Sequence, residues 1–531
     1  MALYIGFDSS TQSLTATVIE TEAREAAHGQ RTAAGGTRRV VAEHVVVFDE
    51  ALPEFGTTRG VHTSADGRTV TAPPAMWVAA LDVVLGRLRD AGIDLADVRA
   101  VSGSAQQHGS VYLNGDAPAA LASLDPAGPL APQLARIFSR GESPVWLDCS
   151  TTGDCDALTQ AVGGADGLAL MTGSRAYERF TAAQIHKFAR TEPQRYAATA
   201  RIHLVSSFMA SVLCGADAPI DPGDASGMNL MHLAISEWWL RAVEATAPDL
   251  LRRLPRIEAS WSIAGPIAPY FRRRFGFGDA KVVTWSGDNP CALVGLGLIE
   301  PGTLGISLGT SDTVFAVKWR SDPDPSGSGH VFASPAGGYM ALTCFANGSL
   351  ARERVRDAYG LDWEGFSRLL ASTPPGNGGG LMVPWFVPEI TPTVAVDGPV
   401  RQDLDPADAA RNVRGVVEGQ AMAMRLHSRW FAPAVETIRV TGGAAANTAI
   451  LQVLADVFDA EVVQIAPPNA ASLGAALRAF HADCRATMTW SEAIAGFTDP
   501  IPGAGARPRR EAAAACAALL PRYAALMESA R

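Results

Sequence analysis

Five residues, Ser286-Gly287-Asp288-Asn289-Pro290, bring together a carboxylate, an amide and a proline able to start a helix. Pro290 suits the first helical position and Asn289 the N-cap of a helix running through Cys291 to Leu298, which places Asp288 just outside a positive helix end. A carboxylate there stays ionised and is positioned to accept a proton from a hydroxyl as its oxygen attacks phosphorus. The same spacing also serves a plain capping turn. Asp8 invites a different role. It closes the apolar run Leu3 to Phe7, and a charge at the end of a buried strand needs a partner, for which Mg²⁺ held through water is suited; the other reading is the Asx-turn of a hairpin.

Three turns of small residues follow strand-like runs, at Asp8 to Thr11, Gly309 to Thr313 and Gly442 to Asn447. Backbone N–H groups freed by such turns bind anionic oxygens, and three in one chain suggest a polyphosphate, although each alone is ordinary hairpin chemistry. There is no Gly-x-x-x-x-Gly-Lys-Ser/Thr loop and no Gly-rich loop followed by a lysine and His-Arg-Asp. A bound ATP would therefore lie in a duplicated, actin-like arrangement. Ser104-Ala105-Gln106-Gln107-His108-Gly109 sets amides and an imidazole after a strand, and Thr172 to Arg179 gathers donors in a short loop. Both suit a polyol's hydroxyls; a structural histidine at 108 and a solvated salt-bridge cluster around Arg175 are the alternatives.

The elements that must position these residues alternate between strand and helix. Leu3 to Phe7, Leu14 to Ile19 and Val40 to Phe48 read as strands, with Asp8 to Ser13 as the first hairpin turn and Glu22 to Gly36 as a surface excursion. Trp77 to Ala91 is an amphipathic helix, Val98 to Ser104 a strand and Ala182 to Arg190 a helix, so the class is α/β. Thr303 to Ser307, a small polar turn and Thr313 to Val317 echo the opening of the chain. This weak duplication predicts two domains of related build, with a boundary near Glu300-Pro301-Gly302 and the active site between them. Later come a strand at Thr437 to Val440, a helix at Asn447 to Phe458 and an Ala-rich helix at Ala512 to Leu526, broken or kinked at Pro521.

With 531 residues, and about 100 to 200 per domain, the chain has room for several cores. Hydrophobic residues make up 47% and charged residues 18%, which excludes intrinsic disorder. The net charge of −10 argues against sequence-independent binding of nucleic acid. No apolar run approaches a membrane span, and Met1 to Gly6 lacks the marks of a signal peptide, so no membrane partner and a cytoplasmic location are expected. Seven cysteines without a Cys-x-x-Cys pair indicate neither a disulfide framework nor a structural zinc site.

Taken in order, the stretches Tyr4 to Thr11, Gly103 to Gly109, Trp146 to Thr152, Leu170 to Phe180, Pro219 to Leu230, Ser286 to Pro290, Leu308 to Thr313, Phe345 to Leu350 and Thr441 to Phe458 resemble the FGGY carbohydrate kinases, most of all the longer, eukaryote-like branch that acts on xylulose. The resemblance implies two ribonuclease-H-like domains of the actin and sugar-kinase superfamily with an interdomain active-site cleft. It divides the chain into a sugar-binding domain (1–300), a nucleotide-binding domain (301–488) and a helical extension (489–531). It implies ATP and Mg²⁺, with D-xylulose as acceptor; ribulose or glycerol as acceptor, or a non-catalytic nucleotide switch, are the rival readings, and a homodimer is left open. Carried over, Asp288 is the general base, and Asn289, His108 and Arg175 contact the sugar. Asp8 faces Mg²⁺ through water, and Thr11, Gly309 and Thr310 cradle the transferring phosphoryl group. Gly442, Gly443 and Asn447 hold the nucleotide, with Trp363 on the same side.

Overall fold

The protein is described by a computed structural model covering residues 1–22, 38–395, 398–465 and 469–531. All but the first residue of the expected excursion from Glu22 to Gly36 lie outside these. Two units are formed: Met1–Ile299 with Val331–Gly338 and Asn469–Phe497, and Glu300–His330 with Tyr339–Pro468 and Thr498–Arg531.

In the first unit β1 (Ala2–Ser9), β2 (Ser13–Thr21) and β3 (Arg39–Val47) form an antiparallel meander. Helix α1 (Pro74–Asp90) leads to β4 (Val98–Ala105), which lies parallel to β1. Helices α2 (Thr181–Thr191) and α3 (Val205–Cys214) follow, and then β5 (Ile263–Pro266) and β6 (Lys281–Val283), of which β6 runs parallel to β4 and β5 antiparallel to β6. Helix α4 (Asp288–Gly295) closes this part of the chain. Every residue of β1 is buried, which is why it reads as a continuous apolar run. Leu3, Ile5 and Phe7 join Trp77, Leu81 and Phe208 in one core, while Ala2 and Tyr4 face a second core on the other side of the sheet. Each fully buried side chain of this size contributes about 1.5–3 kcal/mol.

The second unit repeats the plan. Strands β7 (Thr303–Leu308), β8 (Asp312–Lys318) and β9 (Tyr339–Phe345) form an antiparallel meander. Helices α5 (Ser349–Ala358), α6 (Trp363–Ser372) and α7 (Ala409–Ser428) precede β10 (Thr437–Thr441), parallel to β7. Helix α8 (Thr448–Phe458) then leads to β11 (Glu461–Ile465), parallel to β10. Strand order is thus β3-β2-β1-β4-β6-β5 in one sheet and β9-β8-β7-β10-β11 in the other, with the same sequence of antiparallel and parallel pairings along the shared part. The duplication suspected from two similar hairpins extends to these five shared strands, and the second sheet adds an edge strand, His330–Ala333, without a counterpart in the first.

Helix α9 (Ala470–Cys484) returns to the first unit, and β12 (Pro500–Ala506) and α10 (Arg510–Ser529) complete the second, with β12 antiparallel to β11. The units therefore do not follow the linear division at 301–488 and 489–531. Leu473, Ala476, Leu477 and Phe480 of α9 cover Tyr4, Ile19 and Val283. Gly6 permits this approach: a Cβ there would lie 2.0 Å from the Ser472 carbonyl oxygen and 2.2 Å from the Ala476 nitrogen. Helix α10 runs through Pro521 without the expected break; Pro521 lies on an exposed side, where water can satisfy the carbonyl that loses its backbone donor. Among the described residues no helix is long and apolar enough to cross a membrane.

Candidate active site

Parallel strand ends build the first half of the site. Asp8 of β1 is in register with Ser104 of β4, which is in register with Ser286. Three polar residues thus align at the carboxyl ends of neighbouring parallel strands, the edge where open α/β sheets bind ligands. Asp8 is not part of the hairpin turn: it pairs with Thr15 inside the β1–β2 ladder, and the chain reverses later, where the Ser10 N–H donates to the Ser13 carbonyl at 2.9 Å. The Asp8 carboxylate is 6% exposed and accepts from the Ser104 hydroxyl at 2.8 Å and from Asn469. Burial outweighs these donors and holds its pKa above the usual range. Thr11, beyond the turn, accepts from the Trp146 indole N–H at 2.8 Å.

Two residues past Ser286, Asp288 opens α4. The expected cap is corrected here: Gly287 is the N-cap, Asp288 the first helical residue, and Asn289 and Pro290 lie inside the first turn. Asp288 Oδ1 accepts from the Asn289 backbone N–H at 2.8 Å and from Asn289 Nδ2 at 2.9 Å. Backbone N–H groups of Gln107 and of Asp288 itself also favour the charged form. They do not prevail. Burial first, and the charge of Asp8 second, raise the Asp288 pKa to about 7, so the expectation that it simply stays ionised beside a helix end is also corrected. A helix terminus offsets only part of the desolvation of a second carboxylate in the same recess.

Gln107 ties the two polar segments together, since its Oε1 accepts from Asn289 Nδ2 at 2.8 Å and its Nε2 approaches the Gly223 carbonyl at 3.5 Å. His108 adopts φ 72°, and its Nδ1–H donates to the Gly227 carbonyl at 2.7 Å while the ring stacks on Phe180 at 4.3 Å. Burial, followed by the Arg179 charge, lowers its pKa to about 3. It is therefore a neutral ring with Nε2 as an acceptor. The Arg175 loop reaches the same region through Asn229, whose Nδ2 donates to Thr172 Oγ1 at 2.9 Å and to the Ser174 carbonyl at 3.1 Å. The Arg175 guanidinium itself pairs with Asp166 at 3.0 Å.

Sequence reasoning missed what lies behind Asp288. Asp221 Oδ1 accepts from the Ser286 hydroxyl and the Asp224 N–H, and its Oδ2 from the Ser260 hydroxyl. Asp224 is fully buried; Oδ2 accepts from the Ser206 hydroxyl, Oδ1 has no partner among the described residues, and burial holds its pKa well above the usual range. The cation here is Arg478 of α9, 1% exposed, which donates to the carbonyls of Thr284 at 2.8 Å, Ser260 at 3.0 Å and Gly103 at 3.2 Å and lies 3.5 Å from Asp221. An arginine inside the apolar run Leu473 to Phe480 was the signal available in the sequence.

The second unit presents its candidates at the equivalent strand ends. Gly309 and Thr310 form the β7–β8 turn; the Gly309 carbonyl accepts from the Ser349 N–H at 2.9 Å, and the Gly309 N–H favours the charged Asp312. Asp312 is buried in a two-bond pair with Arg352, at 2.8 and 3.1 Å. Gly442 follows β10 with φ 92°, and a Cβ there would meet the Leu308 carbonyl oxygen at 2.4 Å, so only glycine fits. Gly443 is exposed next to it. Asn447 caps α8, accepting from the N–H groups of Ala449 and Ile450 and donating to Ser367 Oγ at 2.8 Å. Trp363, 43% exposed at the start of α6, has the Arg356 guanidinium 4.5 Å from its ring centre. The structure groups Asp8, His108, Asp288 and Asn289 in one unit and Gly309, Thr310, Gly442, Gly443 and Asn447 in the other.

Comparison with known proteins matches residues 141–295 to the N-terminal domain, and residues 304–482 to the C-terminal domain, of the FGGY family of carbohydrate kinases. A xylulose kinase of Mus musculus is 43% identical over 535 residues, covering 98% of this chain and 93% of the mouse protein. Among solved structures, the ligand-bound xylulose kinase of Lactobacillus acidophilus superposes with a TM-score of 0.81 at 17% identity, covering 100% of this chain and 98% of that one. The glycerol kinase of Plasmodium falciparum, solved with ADP, superposes with a TM-score of 0.77 at 14% identity, covering 99% and 98%.

Proposed function

The chain belongs to the FGGY family of carbohydrate kinases, and from that premise we propose that it transfers the terminal phosphoryl group of ATP to the terminal hydroxyl of D-xylulose, giving D-xylulose 5-phosphate and ADP. The fold is common to kinases of different acceptors, so it supports the reaction more than the substrate. The choice of D-xylulose rests on 43% identity over nearly the whole length of a xylulose kinase.

The observation that carries the chemistry is Asp288 at the start of α4, with a pKa of about 7 set by burial and by Asp8. A base poised near neutral pH can take the acceptor's proton as the new P–O bond forms. Asn289 Nδ2 donates to both Asp288 and Gln107, which orients all three and leaves its Oδ1 for a sugar hydroxyl. Neutral His108 offers Nε2 to a hydroxyl proton, and Arg175 can leave an exposed pair with Asp166 at small cost. On the nucleotide side, Thr310 of the β7–β8 turn and the glycines at 442 and 443 offer backbone N–H groups to phosphate oxygens, Gly309 shapes that turn with its own N–H given to Asp312, and Trp363 offers a ring face. The transition state is loose, so positioning and charge neutralisation dominate.

Asp8 fits a role toward Mg²⁺. It is a buried carboxylate with no ion-pair partner among the described residues and a pKa raised by burial. No group of three or more acidic, histidine or cysteine ligands occurs among the described residues. A cation kept mainly by water and phosphate oxygens, with Asp8 acting through water, matches that donor set; when bound it neutralises charge on the phosphates. The acidic net charge and polar substrates suit a cytoplasmic enzyme.

ADP release across D-xylulose, D-ribulose and glycerol tests the assignment. D-xylulose should give the highest kcat/KM and glycerol should be poor, since buried groups deprived of their hydroxyl partners reject such analogues by ~10⁴ or more. A higher kcat/KM for ribulose or glycerol would overturn the substrate and leave the kinase reading in place.

A further inference from the structure

Residues Val331–Gly338 lie within the stretch that matches the family's C-terminal domain, yet they pack as part of the first unit. Their anchors are backbone N–H groups. The Val331 N–H donates to the Gly173 carbonyl at 2.9 Å, and the Ala333 N–H to the Ser226 hydroxyl oxygen at 3.1 Å. N–H groups two residues apart in an extended segment point to one side, so both bonds hold the same edge of the strand His330–Ala333. The approach is close. A Cβ on Gly173, which has φ 86°, would lie 2.1 Å from the Val331 carbonyl oxygen, and one on Gly223 would lie 3.0 Å from the Ala333 carbonyl oxygen.

Between the two anchors stands Phe332, 1% exposed, with its ring centre 6.4 Å from that of His108 and the rings tilted by 56°. His108 is confined from several directions. Its φ of 72° is uncommon for a residue with a side chain and persists only where the surroundings enforce it. Nδ1 donates to the Gly227 carbonyl, Phe180 stacks on the ring at 4.3 Å, and a Cβ on Gly227 would come within 3.0 Å of the imidazole. Phe332 is the second aromatic ring against it. An imidazole so held keeps Nε2 in one direction, which a well-aligned bond to a hydroxyl requires. The segments that Val331–Ala333 meets at His108 and Gly173 are the same two, 104–109 and 172–179, whose polar residues suit a polyol.

We propose that Val331–Ala333 is part of the acceptor site and that Phe332 is a positioning residue for the sugar, setting the His108 ring so that Nε2 meets one of its hydroxyls. The inference rests on the reading of His108 as a sugar contact. Recognition of the acceptor then depends on residues outside 1–300.

Isothermal titration of the full chain with D-xylulose tests the proposal through a double-mutant cycle of Phe332→Ala and His108→Ala. Phe332→Ala should weaken D-xylulose about tenfold, the order of one well-directed hydrogen bond, with ADP affinity unchanged. In the His108→Ala background the same substitution should add less than about twofold, because the ring that it positions is gone. A Phe332 that only fills the core would give losses that multiply. Phe332→Leu keeps most of the buried volume and serves in place of an alanine variant that does not fold; it should weaken D-xylulose about threefold or more with His108 present and add nothing without it. Thermal unfolding verifies the fold of each variant. Unchanged sugar affinity in the Phe332 variants, or losses that multiply across the cycle, overturns the proposal and leaves the reaction standing. A wild-type protein that binds D-ribulose or glycerol but not D-xylulose overturns the choice of substrate, and the cycle is then read with that acceptor. One that binds none of the three overturns both.

Discussion

At the scale of single residues, Asp288 illustrates how a site tunes a base by crowding. Its ordinary pKa is near 4, and burial beside Asp8 raises it to about 7 in spite of the N–H groups directed at it. The proton acceptor is present above that value and lost as pH falls through it. The acid limb of kcat/KM for the sugar should therefore be centred near pH 7, about three units above an ordinary aspartate. A limb near pH 4 would show that another group limits the reaction. Asp288→Asn removes the acceptor while retaining a polar first-turn residue. It should lower kcat by ~10²–10⁴-fold with melting and ATP affinity nearly unchanged. Near-wild-type turnover would reduce Asp288 to a residue of local structure.

At the scale of elements, α9 decides how the first sheet is closed. It covers Tyr4 and Ile19, passes over Gly6 at backbone contact, and delivers Arg478 into the space behind Asp288. Arg478 joins the ends of β4 and β6 through the carbonyls of Gly103 and Thr284 and adds Ser260 and Asp221. Asp221 in turn holds Ser286, two residues before the base. Arg478→Met should cost about 3–5 kcal/mol of stability, because it strands buried carbonyls and leaves buried carboxylates without their cation. Thermal unfolding measures this, and an unchanged midpoint would mean that the cation is dispensable. The same contacts set α9 on the first sheet, although most of it lies within the stretch that matches the family's C-terminal domain. An Ala- and Leu-rich helix carries no mark of which of two similar sheets it covers.

At the scale of the whole molecule, the chain leaves each unit and returns to it, so neither unit is a continuous stretch of sequence. A fragment ending at residue 300 would lack the segment Asn469–Phe497 and bare the face formed by Tyr4, Ile19, Val283 and Val294. Such a fragment should be recovered aggregated or without a cooperative thermal transition, since exposed apolar surface of this kind is not tolerated by soluble monomers. Size-exclusion chromatography and circular dichroism decide the matter. A monomeric 1–300 fragment with a sharp transition would show that α9 is an accessory.

The sequence by itself determined the α/β class, the paired hairpins, about half of the helices and strands, and the short polar segments that carry the candidate residues. All of these depend on local signals: apolar runs at β1 and β7 and apolar periodicity at α8, or polar residues at the end of a strand, as at Asp8 and Ser104, and at the start of a helix, as at Asp288. Tertiary structure alone decided that Asp8, Ser104 and Ser286 share one sheet edge, since that register depends on pairing between strands roughly 90 and 180 residues apart. It also decided the cap of α4, because Gly287 is drawn into pairing beside Ala105 and the helix must begin at the next residue. The charge state of Asp288 was likewise beyond sequence. A pKa follows from burial and from charges in space, and neither Asp8 nor the packing around the recess is near Asp288 in the chain.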